Sequence, residues 1–130
     1  MRKVSVVLLI LMLFGCTPTN MEILQEDYAY RDVFTVEKNY QQVYRETLNR
    51  SQVCFPKFFI QEHLYTDKQS GTIKTMGITG DDIFIAVEIS AIDANRTKVI
   101  VYSKESAWNK EAKAIKHWLI SGSEKCKSDN

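Results

Sequence analysis

The spacing of hydrophobic residues changes along the chain, and each change marks a boundary. Behind Arg2 and Lys3 an apolar run extends from Val4 to Phe14, shorter than the roughly 20 residues a membrane-crossing helix requires. From Thr17 to about Asp32 no periodicity is sustained, which predicts a linker whose last aromatics, Tyr28, Tyr30 and Phe34, dock on the domain that follows. Val36, Tyr40, Val43, Tyr44, Thr47 and Leu48 then recur on one helical stripe, with Glu37, Lys38, Gln41, Arg45 and Glu46 opposite. This spacing predicts a helix over about 36–52, capped by Thr35 and closed before Pro56.

Past Pro56 the period falls to two, and β-branched and aromatic residues take over. Strands are predicted over 58–65, 72–79, 83–91 and 97–103, separated by the turn-forming stretches Thr66-Asp67-Lys68-Gln69-Ser70-Gly71, Gly80-Asp81-Asp82 and Asp93-Ala94-Asn95. Helical spacing returns with Trp108, Ala112, Ile115 and Leu119, with Ala114 and Trp118 beside that stripe and Lys110, Glu111, Lys113 and Lys116 away from it. Ser106 is the expected cap of this helix and Gly122 its stop. Since a sheet with one apolar face needs cover, the expected fold is α+β: a four-stranded antiparallel meander with an N-terminal and a C-terminal helix packed on one face, in the order α-β-β-β-β-α.

A chain of 130 residues with 17 basic and 16 acidic side chains suits one domain and gives no electrostatic case for binding nucleic acid. The first residues change the picture more than the composition does. Leu13-Phe14-Gly15-Cys16 closes the basic-then-apolar start and resembles the lipobox of bacterial lipoproteins, in which a small residue precedes the cysteine that receives a diacylglyceryl group. Phe14 is bulkier than the family's middle position usually allows. The resemblance implies that residues 1–15 are an export signal, that Cys16 becomes the acylated N-terminus, and that residues 16–33 are a lipidated start and tether for a domain over 34–130. It implies no cofactor beyond the covalent lipid on Cys16. Thr17 stands where inner-membrane retention typically has aspartate, so an outer-membrane location facing the periplasm is expected.

With Cys16 assigned to lipid, Cys54 and Cys126 remain as an even pair in an oxidising space, and a disulfide between them is expected, two separate buried thiols being the alternative. The segment Tyr40-Gln41-Gln42-Val43-Tyr44-Arg45, Cys54 at the helix end and the late Cys126 together resemble small uncharacterised proteobacterial lipoproteins of the BPTD type. That resemblance implies a fold and an envelope location; the family's molecular role is undefined.

No catalytic constellation is visible. His63 and His117 have no nucleophile beside them in the sequence, Asp81-Asp82 is turn chemistry, and neither a phosphate-cradling glycine loop nor a metal-binding pair on a helix occurs. The basic residues Lys110, Lys113, Lys116, Lys125 and Lys127 read as a solvated face. More informative are Phe59, Tyr65, Phe84, Ile92 and Tyr102, expected partly on the sheet face away from the helices, where an apolar patch would mark an interaction site; partial cover by the aromatic linker is the alternative. The expected function is thus a non-catalytic binding or assembly module of the envelope, anchored in the membrane and contacting an envelope protein. The alternative is inhibition of a cell-wall-degrading enzyme, because Ser70-Gly71 faintly resembles the loop of periplasmic lysozyme inhibitors. Spacing and composition say nothing of oligomeric state.

Overall fold

A computed structural model describes residues 28–80 and 82–129. The lipobox with Cys16, the export signal over 1–15 and the linker over 16–27 lie outside the described residues, as does Asp81. Among those described, the elements run β1 (Tyr30–Val36), α1 (Tyr40–Cys54), β2 (Phe59–Tyr65), β3 (Ser70–Met76), β4 (Ile83–Asp93), β5 (Arg96–Ser103), a short 3-10 turn (Ser106–Trp108) and α2 (Asn109–Ser121).

The sheet is antiparallel throughout, with order β1-β5-β4-β3-β2. The α+β class and the meander from β2 to β5 agree with the sequence reading; the strand count and the element order do not. Tyr30–Val36 is a fifth strand paired with β5, Val33 facing Ile100 and Val36 facing Thr97, so the first helix does not open the domain and the order is β-α-β-β-β-β-α. Residues 30–33, expected in the tether, belong to the body. Two features hid this strand. Asp32 interrupts the row Tyr30, Phe34, Val36, yet is held there by Lys116 of α2 at 3.5 Å, and Val36 happens to lie on the helical stripe as well. The helix begins later because Asn39, not Thr35, caps it: its Oδ1 accepts the Gln41 N–H at 2.9 Å.

β1 lies at one edge of the sheet and β2 at the other, so α1 crosses between them. It packs over β2–β5, while α2 lies over β1 and β5 and against α1. Both helices feed one core: Val43, Tyr44, Ala112, Ile115, Trp118 and Leu119 meet Phe34, Val36, Ile73, Ile85, Val87, Ile89, Val99 and Val101 from the inward rows of the strands. Ser106 does not cap α2; it opens the 3-10 turn, and α2 has no side-chain cap. Gly122 does stop α2, with φ at +70° and its N–H donated to the His117 carbonyl. Beyond it the tail folds back, and Cys126 lies at disulfide distance from Cys54, the last residue of α1, with Cα atoms 5.2 Å apart.

Candidate interaction surface

The register assigns every strand residue to a side and to an end. Phe59 pairs with Met76 and Met76 with Ile83, while Tyr30 pairs with Ser103 and Ser103 with Ile85. These residues mark the end of the sheet at which the chain enters from Tyr28. Tyr65 pairs with Ser70, Ser70 with Ser90, Ser90 with Lys98 and Lys98 with Thr35, which marks the distal end, roughly 20 Å away at about 3.3 Å per residue.

The five residues expected partly on one interaction face are therefore distributed. Phe59 and Tyr65 stand at opposite ends of β2, 53% and 42% exposed. Tyr102 is on the outward face but buried: Tyr28 meets it edge-on at 5.9 Å, the Arg31 guanidinium lies 5.7 Å from its ring centre, and its hydroxyl donates to Glu88 Oε2 at 3.4 Å. With Met76, Ile83 and Ala86 it makes a second, smaller apolar cluster. Docking of Tyr28 on this cluster agrees with the aromatic cover anticipated from the linker. Phe84 is not on that face. The β3–β4 register shifts between Thr75 and Met76, leaving Phe84 unmatched, and a residue at such a bulge is re-aimed. Its ring stacks on Trp108 at 5.0 Å and meets Phe58 edge-on at 5.5 Å, against the main core. Ile92 is exposed near the β4–β5 turn.

Among the described residues β2 is an edge strand, paired only with β3. Its distal half carries the exposed Leu64 towards the helix side and His63 and Tyr65 towards the other. The His63 and Tyr65 rings stack at 6.0 Å, and Lys68 Nζ lies 5.9 Å from the Tyr65 ring centre. This aromatic and basic group borders a row of backbone N–H and C=O groups that pair with no strand among the described residues. On the helix side of the same strand, Tyr44 of α1 donates to Glu62 Oε2 at 2.7 Å, and burial followed by that bond pushes its phenol above the ordinary range. Burial, followed by the charge of Asp32, likewise pushes Tyr30 up to about 12.

His117 lies in α2, across the sheet from His63, so the two histidines do not meet. Asp82 is engaged by Lys104 at 3.1 Å. The basic residues of α2 and the tail do not make a uniform face: Lys116 pairs with Asp32, Lys127 Nζ lies 3.6 Å from Glu111 and Lys125 Nζ 2.8 Å from Asp129, while Lys113 lies over the Tyr30 ring at 5.8 Å. Sequence spacing missed Glu111, placed away from the apolar stripe but buried, with Oε2 unbonded. It borders a cavity of about 230 Å³ with Cys54, Phe55, Phe58, Trp108, Cys126 and Lys127. Among the described residues no helix is long and apolar enough to cross a membrane, and no cluster of three or more His, Cys, Asp and Glu is placed to hold a metal ion.

Comparison of the chain with protein-family models gives no match, and comparison with curated proteins gives none either.

Proposed function

We propose that the protein is a lipid-anchored, non-catalytic binding or assembly module of the bacterial envelope, held at the outer membrane through Cys16 on the periplasmic side. The anchor rests on the lipobox resemblance. The binding role rests on one observation, the edge position of β2 together with its exposed Leu64, His63 and Tyr65. An unpaired strand edge offers main-chain hydrogen bonds to an extended segment, and side chains on either side supply selectivity. Natural edge strands are usually blunted by charge, proline or a bulge; in β2 only Glu62 is charged, and the Tyr44 hydroxyl engages it. A protein partner contributing an added strand is the occupant that fits this edge.

The inhibitor reading gains no loop from the fold, because Ser70 and Gly71 are paired residues of β3 and Gly71 is buried under Tyr44.

Photo-crosslinkers placed at Tyr65 and, as control, at the exposed Ile120 of α2 test the proposal in intact envelopes. A discrete adduct from position 65 alone is expected; no adduct, or the same adducts from both positions, overturns it.

A further inference from the structure

The end of the sheet at which the chain enters from its N-terminal side is ringed by exposed apolar residues on separate segments. Ile78, in the β3–β4 loop, is 86% exposed, the most of any large hydrophobic residue among those described. Phe59 starts β2 at the same end, Val53 stands in the last turn of α1, which descends to it, and Tyr28 marks the entry itself; all three are exposed. Lys57, Lys104 and Lys110 are exposed in the loops and the helix start of this end, where the exposed acids are Asp82, which pairs with Lys104, and Glu105. Apolar and aromatic side chains interleaved with lysines are the composition that settles at a headgroup boundary, the first entering the acyl margin and the second meeting anionic lipid.

We infer that this rim docks on the anionic lipid surface to which the chain is tied. The inference rests on the lipid anchor proposed above, and chain length is what selects the occupant. Only 12 positions separate Cys16 from Tyr28. Even at full extension a chain of that length reaches only about 40 Å. An acyl group in the bilayer therefore holds the entry end within about 40 Å of the lipid, at the point where the tether joins the body. At the effective concentration such a tether creates, contacts too weak to bind a free protein suffice to orient it. The distal end, with Tyr65 and the edge of β2, then points away from the bilayer towards the space where an envelope partner stands.

The test uses the full lipidated chain in vesicles of phosphatidylethanolamine and phosphatidylglycerol containing brominated lipid, with single replacements Ile78→Trp and Tyr65→Trp compared with the unaltered chain. Both positions are exposed, so neither replacement disturbs the core. Because interfacial insertion places a side chain about 5–10 Å into the boundary, the added tryptophan at 78 is expected to be quenched at least about twofold more than that at 65. Equal quenching at the two positions overturns the inference. So does a protein adduct from a crosslinker at 78 in envelopes, which would give the rim to a protein. Sedimentation and fatty-acid labelling of the same samples, with Cys16→Ala as control, separate the two layers. A chain that is labelled and sediments but shows no preference for position 78 refutes the docking alone. One that neither takes label nor sediments refutes the anchor and the docking together.

Discussion

At the scale of single residues the tightest constraint is Gly71. A Cβ added there would lie 2.7 Å from Tyr44 Cδ2 and 3.1 Å from the His63 carbonyl oxygen. Neither neighbour can yield freely, since the carbonyl is sheet backbone and the Tyr44 ring is pinned through its hydroxyl to Glu62. Gly71→Ala is accordingly expected to cost about 1–3 kcal/mol, read as a lower urea midpoint; an unchanged midpoint would show that α1 can lift from β3. The phenols of Tyr30 and Tyr44 give a second prediction. Their folded values lie above the ordinary value of 10, Tyr30 at about 12. A raised folded value means that the stability these neutral phenols supply is complete below pH 10 and is lost as pH rises through about 12. Unfolding free energy should therefore fall across that window, and Tyr30→Phe should fall less steeply. Equal slopes in the two proteins would refute the assignment to Tyr30.

The start of α1 matters at the scale of elements because one side chain fixes both the helix and a distant turn. Asn39 accepts the Gln41 N–H through Oδ1 and donates through Nδ2 to the Ala94 carbonyl in the β4–β5 turn at 3.0 Å. Asn39→Ala removes both, and a loss of about 1–2 kcal/mol is expected, with Asn39→Asp keeping the cap but not the bond to Ala94 and falling between. If Asn39→Asp proves as costly as alanine, the cap contributes little. Legibility in the sequence follows the same logic of local against distant causes. The meander and both helices could be read because their periodicity lies within each segment, in Ile83, Ile85, Val87 and Ile89 or in Ala112, Ile115 and Leu119. β1 could not, because what makes Asp32 acceptable in an inward row is Lys116, 84 positions away in the chain. The same holds at the candidate surface: the exposure of Phe59 and Tyr65 follows from alternation, whereas the inward turn of Phe84 depends on a bulge that no alternation announces.

For the whole molecule the decisive link joins parts the sheet does not. Cys54 ends α1 and Cys126 belongs to a tail with no element of its own, and 72 positions separate them. In the chain-entropy model, closing such a loop stabilises the fold by roughly 4 kcal/mol through the unfolded state, a large share of the 5–15 kcal/mol typical of a domain. Polar contacts hold the tail independently: Trp118 Nε1 donates to the Lys125 carbonyl at 2.6 Å, Arg50 donates to the Glu124 carbonyl, and the Ser128 N–H reaches the Lys110 carbonyl at 2.9 Å. Each of these keeps the cysteines near one another after reduction. Cys126→Ser is therefore expected to lower stability by about 2–4 kcal/mol while leaving far-UV ellipticity intact. The paired replacement Cys54→Ser with Cys126→Ser should cost no more than either alone, since one bond is lost in every case. Trp118 loses its carbonyl acceptor only where the tail lifts, so its emission should stay in place in the variants that lose the bond alone and shift to the red when Arg50 is also replaced by Ala. If dithiothreitol leaves the urea midpoint of the unaltered chain where it was, the cysteines are not bonded in the folded protein, and the tail is held by its hydrogen bonds alone.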